Sequence, residues 1–258
     1  MVARGGRTMP TSLDSRQLEA FARDGYLMVP GMLDADAVAG LDRWADELVA
    51  MPETPGRHLV YYEDHVGGSG ARVLSRIENF CPYHENLDRM LRGPAVLGRV
   101  ESLLGEQALL FKEKINFKLP GSGGFEAHQD VQAGWDNYAA LHLTMLISID
   151  RATLNNGCLE LVAGRHREGM LGERWSPLAD DAMEYRPLPT EPGDVVFFDS
   201  FVPHRSLPNG TSAQRRVLYV TYNGASAGDS RERYYADKRA SYPPDCEQDP
   251  DRDYSFRV

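Results

Sequence analysis

A mainly β domain with a helical support in front of it (α+β) is the fold class that this 258-residue sequence predicts. Three observations carry the prediction. From Ala108 onward, short runs rich in β-branched and aromatic residues alternate with Gly, Pro and Asn turn signals, the pattern of a β sandwich or barrel. Before Gly105, apolar residues recur at spacings of three and four, the period of amphipathic helices. With 42% hydrophobic and 26% charged residues, the chain has ample core material for one ordinary domain.

The elements follow in order. Residues 1–12 are expected to be disordered, and 13–258 to form a single domain: a largely helical support (13–106), a β core (107–223) and a C-terminal segment (224–258). Asp14 and Gln17 read as a capping box for a helix with Leu18, Phe21 and Ala22 on one face and Gly25 as its C-terminal cap. A short strand is expected at 26–30. Val38, Leu41, Ala45 and Leu48 mark a second helix over 35–50, with Trp44 on the same face. A third helical region spans 85–104, broken at Gly93-Pro94 and stopped by Gly105. Candidate strands are 57–62, 72–78, 109–118, 140–149, 158–162, 194–199 and 216–222, separated by turn residues such as Asn155-Asn156-Gly157 and Pro192-Gly193. Residues 243–258, polar and Asp-rich, are either a loosely held tail or a flap over an open end of the barrel.

Composition also excludes functions. Lys+Arg 28 against Asp+Glu 38 leaves a net charge of -10, so nucleic acid is not expected as a partner, because phosphate contacts need clustered positive charge. No apolar run approaches the roughly 20 residues of a membrane helix, and no secretory signal is evident, so a cytoplasmic protein is expected. A homo-oligomer is compatible with the sequence. Three cysteines without CxxC spacing argue against a disulfide framework or a thiolate zinc site, which leaves His and carboxylate as metal ligands.

Of seven histidines, one begins a His-x-Asp pattern, His128-Gln129-Asp130. In a strand, residues two apart share a face, so an imidazole and a carboxylate converge. A third ligand such as His204 completes a facial triad that leaves three positions open on Fe(II). His204 follows the turn and apolar run Pro192-Gly193-Asp194-Val195-Val196-Phe197-Phe198-Asp199, and Arg215 lies eleven residues after it. An antiparallel return brings that arginine back beside the metal, where its planar fork can grip a dicarboxylate. Arg216 is the competing clamp, since only one of two adjacent strand residues points inward.

These residues carry a resemblance. His128-Gln129-Asp130, Asn156-Gly157, the turn at 192–194, and His204-Arg205-Ser206-Leu207-Pro208-Asn209 with Arg215 resemble the phytanoyl-CoA dioxygenase family of Fe(II)- and 2-oxoglutarate-dependent oxygenases. The likeness covers nearly the whole chain and implies a double-stranded β-helix, or jelly-roll, core. It implies that His128, Asp130 and His204 hold Fe(II) and that Arg215 binds the C5 carboxylate of 2-oxoglutarate. Asn116 is similar in position to a cosubstrate-contacting asparagine, and Thr144 and Leu146 either border the cosubstrate or serve as core. The family couples O2 and decarboxylation of 2-oxoglutarate to oxidation of a substrate C–H bond, most often hydroxylation, with release of succinate and CO2. Asp130 matters because related halogenases carry a small residue there.

The substrate is expected to be small and polar. Lys112, Lys114 and Asn116 alternate along one strand, so both lysines face the cavity if Asn116 does; otherwise they lie on a solvated face. Trp135 is similar to a tryptophan near the iron in ectoine hydroxylases, or is a core aromatic. The segments 111–118, 222–231 and 234–238 resemble a branch that includes aminoethylphosphonate and trimethylaminoethylphosphonate dioxygenases, which implies an aminoalkylphosphonate and makes Arg231 and Arg233 rim contacts for an anion. A tailoring oxygenase of natural products is the alternative within the family. A zinc hydrolase using the same triad and a non-catalytic jelly-roll binding domain are the alternatives outside it. Among the other histidines, His142 reads as a hydrogen-bonded core or wall residue, and one of His58, His65 and His84 as a pocket residue.

Overall fold

The computed structural model describes residues 12–68, 70–179 and 183–254, so the expectation of disorder at the N-terminus falls almost wholly outside the described residues. α1 (Ser15–Asp24) opens the chain, with the Asp14–Gln17 capping box formed and Gly25 closing it at φ 81°. β1 (Tyr26–Val29) leads to α2 (Ala35–Ala50), capped by Asp34. After the hairpin β2 (Leu59–Asp64) and β3 (Arg72–Glu78) come α3 (Glu85–Leu91) and α4 (Pro94–Leu104), separated at Gly93-Pro94 as expected: Pro94 can open a helix but cannot continue one.

The remaining strands are β4 (Ala108–Lys118), β5 (Phe125–His128), β6 (His142–Ser148), β7 (Leu159–Leu161), β8 (Arg186–Leu188), β9 (Val195–Asp199), β10 (His204–Ser206) and β11 (Arg215–Gly224). They form two antiparallel sheets, one ordered β1-β9-β6-β11-β4-β3-β2 and the other β5-β10-β7-β8. The described chain is therefore sheet-rich with helices on one side, as expected, and has the two-sheet layering of a jelly roll.

Both faces of the large sheet are used, and side-chain parity shows how. Ile115, Leu218, Val220, Met145, Ile147 and Phe197 point outward and pack with Leu41 and Leu48 of α2, Leu87 and Leu91 of α3 and Val100 of α4. Leu146, Val196, Phe198 and Val217 point inward and pack with Leu159 and Leu161 of the small sheet. Between Lys112 and Leu110 the β4–β11 register slips by one residue, so Phe111 is an extra residue and turns toward Trp135 and Tyr234 at the end of the barrel.

Three strands and one helix were not anticipated. β5, β8 and β10 have three or four residues each, too few to show a period. α5 (Arg231–Ser241) lacks an apolar stripe because it is charged on most sides and buries Arg231, Tyr234 and Tyr235. The segment expected to be a tail or flap is tied to β2 and β3: Asp245 accepts the Tyr62 amide at 3.1 Å and the Arg72 guanidinium, and Glu247 accepts the Gly56 amide at 2.7 Å. No described helix is long and apolar enough to cross a membrane.

Candidate active site

His128 ends β5 and His204 begins β10, and the two are direct cross-strand partners. Their rings lie 4.2 Å apart between centroids. Asp130 arrives by a different route from the strand alternation expected of His-x-Asp: the strand stops at His128, and Asp130 opens a 3-10 turn. Gln129 makes that turn, its Nε2 donating to Phe201 O at 2.6 Å and Gly169 O at 2.9 Å while its backbone amide donates to Gln132 Oε1. The middle residue of the motif is thus a fully buried brace.

One ligand atom from each of His128, Asp130 and His204 lies within 4.8 Å of the others. The imidazoles are held at Nδ1 by their own chain, against the carbonyl of Glu126 at 2.6 Å and of Val202 at 3.0 Å. Nδ1–H donation to a carbonyl leaves the Nε2 lone pair as the free donor atom, the tautomer a metal needs. Burial, reinforced by His204, pushes the His128 pKa down to about 3, so the ring is neutral at working pH. Burial alone would raise the Asp130 carboxyl, but His204, His128, Lys114 and a hydrogen bond from Thr144 outweigh it and hold it below its usual range. That bond, Thr144 Oγ1 to Asp130 Oδ2, is 2.9 Å. Two imidazoles and one carboxylate on one face are the donor set of a non-heme Fe(II) centre, so the residues fit that ion.

Beyond the triad, the inward faces of β4 and β11 continue into the barrel. Arg215 is 2% exposed, and among the described residues no carboxylate lies within ion-pair distance of it. The Tyr219 hydroxyl lies beside it, its Nε has no hydrogen-bond partner, and burial lowers its pKa. Lys118 sits nearby, donating to Ser206 Oγ at 2.9 Å and to Leu207 O, and burial together with Arg215 brings its pKa down to about 7. A buried arginine and a buried lysine with no carboxylate in ion-pair distance among the described residues suit an anionic cosubstrate. Arg216 points the other way, bonded to Asp150 at 2.8 Å and 2.9 Å, Asp42 at 2.5 Å and Asp46 at 3.1 Å, so the two adjacent arginines divide as strand parity requires. Asn116 faces the pocket, its Oδ1 buried and without a partner.

A second cavity of about 280 Å³ adjoins the triad on the outer side. Lys112, Lys114, Phe125, His128, Asp130 and Trp135 border both spaces. Lys112 donates to the Tyr234 hydroxyl at 2.8 Å and lies 5.2 Å from the Trp135 ring centroid. Lys114 makes no ion pair among the described residues, only ring contacts with Tyr219 at 5.2 Å and Phe125 at 5.6 Å, and burial, then Lys112, lowers it to about 8. Residues that the sequence reading missed complete the walls. Arg76 and Glu78 come from β3 in register with Asn116 and Lys114, and Tyr234, Asp237 and Lys238 come from α5. Glu78 is buried under three cations: Lys238 at 2.7 Å, Arg76 at 2.7 Å and Lys112 at 3.9 Å.

Other expectations need correction. Arg231 does not reach the cavity. Its guanidinium is spent on Glu113, whose side chain is fully buried on the opposite face of β4, and on Asn79 at 2.9 Å. Arg233 donates to the Asn137 carbonyl on an exposed stretch. Leu146 is inter-sheet core rather than a cosubstrate neighbour, and Thr144 positions Asp130. His142 lines neither space and is a core residue, its ring tilted against Phe111 at 4.4 Å, but its Nε2 has no hydrogen-bond partner and burial lowers it to about 4. None of His58, His65 and His84 lines either space: His84 bonds Glu47 at 3.0 Å, and His58 packs on Tyr83.

Comparison with known proteins agrees with this geometry. The family described as Phytanoyl-CoA dioxygenase (PhyH) matches residues 21–217. A 2-aminoethylphosphonate dioxygenase from an uncultured bacterium is 40% identical over 90% of this chain and 90% of its own. A methylphosphonate hydroxylase from Gimesia maris is 37% identical over 91% of this chain and 90% of its own. In fold, the crystal structure of EctD from S. alaskensis with 2-oxoglutarate and 5-hydroxyectoine superposes with a TM-score of 0.71 at 22% identity, covering 83% of this chain and 77% of that one. The chain belongs to the phytanoyl-CoA dioxygenase family and is an Fe(II)- and 2-oxoglutarate-dependent dioxygenase.

Proposed function

We propose that this enzyme oxidises a C–H bond of an aminoalkylphosphonate. The observation that carries the reading is Lys114, a buried cation bordering both the triad and the outer cavity without a carboxylate in ion-pair distance. A buried ammonium without a counter-ion is costly unless a ligand supplies one, and Lys112 beside it, which shares the single Glu78 carboxylate with Arg76 and Lys238, adds net positive charge that suits a doubly charged anion. The phosphonate-oxidising relatives support the same substrate class.

His128, Asp130 and His204 would hold Fe(II), which with 2-oxoglutarate and O2 supplies the oxidant. The residues around them do the positioning. Thr144 keeps the Asp130 carboxylate turned toward the imidazoles, and the carbonyls of Glu126 and Val202 keep both rings in the ligating tautomer. Arg215, with Lys118 and Tyr219, receives the C5 carboxylate of 2-oxoglutarate, and Asn116 offers its amide to the same molecule. Lys112 and Lys114 take the phosphonate, while Trp135, Phe125 and Tyr234 exclude water from the reacting carbon. On this reading residues 13–258 work as one oxygenase domain, and the free cysteines Cys81, Cys158 and Cys246 suit action in the cytoplasm.

The test is succinate formation from 2-oxoglutarate with Fe(II) and ascorbate across a panel of alkyl- and aminoalkylphosphonates, with the oxidised phosphonate identified by phosphorus NMR. Stimulation by an aminoalkylphosphonate, matched by product, is expected. Turnover only with substrates that lack phosphorus would refute the assignment.

A further inference from the structure

The outer cavity has two chemically different ends. Its inner end, shared with the triad, carries Lys112 and Lys114. Asp237, Tyr138 and Trp175 border only the outer space. The carboxylates available to a cationic group in this cavity can be gone through one by one. Asp130 is turned to the two imidazoles and held by Thr144. Glu78 already faces Lys238, Arg76 and Lys112, so a further cation approaching it would meet net positive charge. Asp237 remains. Among the described residues it makes no ion pair, and its polar contact is the Tyr138 hydroxyl, which donates to Oδ2 at 2.7 Å.

A second observation points to the same end. Trp175 has a left-handed backbone, φ 64°, which an indole-bearing residue adopts only when its surroundings impose it. The Trp175 amide donates to Gln132 O at 3.0 Å, and the ring lies against Gly134, where an added Cβ would come within 3.0 Å of it. The indole nevertheless stays 43% exposed at the cavity mouth. A carboxylate oriented by a phenol, in a cavity that an exposed indole also borders, is chemistry that recognises an ammonium or a methylated ammonium.

We propose that Asp237, oriented by Tyr138 in the cavity that Trp175 also borders, is the specificity-determining residue for the substrate's cationic end. The substrate then lies with its anion inward on Lys112 and Lys114 and its ammonium outward on Asp237. The proposal rests on the aminoalkylphosphonate reading and deepens it: the enzyme distinguishes an amino-bearing phosphonate from an uncharged one of the same length, and α5 supplies the residue that does so.

The experiment compares kcat/KM for 2-aminoethylphosphonate and for n-propylphosphonate, its uncharged isostere, in the wild-type, Asp237→Asn and Asp237→Glu enzymes loaded with Fe(II) and 2-oxoglutarate. Wild type is expected to prefer the amino compound, Asp237→Asn to reduce that preference about tenfold, and Asp237→Glu to restore part of it. Anaerobic calorimetry of 2-aminoethylphosphonate binding should report the same loss of affinity without turnover. An unchanged preference in Asp237→Asn, or an equal fall for both substrates, overturns the proposal while leaving the phosphonate reading intact. Wild-type enzyme that turns over neither phosphonate overturns both.

Discussion

Arg215 and Arg216 are neighbours on one strand and opposites in their surroundings. Arg216 looks outward into three aspartates, two from α2 and one from the loop after β6, and its pKa is raised by them, Asp150 first. Arg215 looks inward, is almost fully buried and has a phenol in place of a carboxylate. The contrast extends along the sheet. On the outer face Arg231 is matched to Glu113, whereas on the inner face Lys114 and Lys118 have lowered pKa values and no carboxylate within ion-pair distance among the described residues. Paired buried charge belongs to the scaffold; unpaired buried cations indicate where an anion is to be received.

Substitutions can break this division, and the largest effect is expected on the outer face. Arg231→Ala leaves Glu113 buried and uncompensated, a cost of about 3–5 kcal/mol that should lower Tm by roughly 10 °C in calorimetry. If it also abolished 2-oxoglutarate binding in the folded fraction, the outer face would not be purely structural. Arg215→Ala comes next: KM for 2-oxoglutarate should rise about 100-fold, with Tm maintained or raised because an unpaired buried charge is gone. Arg216→Ala should do the reverse, costing about 2 kcal/mol of stability with 2-oxoglutarate KM within a factor of about three. An inverted order for the two arginines would mean that the inward strand face has been misread. Thr144→Val should weaken Fe(II) affinity about tenfold, measured by metal titration of the apoprotein, since it releases the Asp130 carboxylate.

The smallest expected effect is a proton. In the free protein Lys118 loses its proton as pH rises through about 7, and a carboxylate beside it would favour the charged form. Binding of 2-oxoglutarate should therefore take up a fraction of a proton near pH 8. Affinity should be level below about pH 7 and fall above it, by at most about tenfold per unit. Calorimetry in buffers of differing ionisation enthalpy measures the uptake, and Lys118→Met should abolish it.

Much of this was legible in the residues. The helix periods over 35–50 and 85–104, the caps at Asp14 and Gly25 and the long strands β4, β6 and β11 follow from local chemistry that a short window contains. The family motif singled out His128, Asp130, His204 and Arg215, and the structure brings the first three together and buries the fourth. The short strands β5, β8 and β10 were not legible, nor was α5, whose packing depends on Arg231 finding Glu113 and on Tyr234 finding Lys112.

The sequence by itself determined the mainly β fold class with its helical support, the acidic charge balance and the residue types of an Fe(II) site. Tertiary structure decided the rest. Asp130 reaches the imidazoles through a turn braced by Gln129, Leu146 belongs to the core, Arg231 serves the scaffold, and Glu78, Asp237 and Lys238 belong to the cavity. The reason is physical. Periodicity and motif spacing report which residues share a face, but the charge state and use of a buried side chain depend on partners more than 100 residues away.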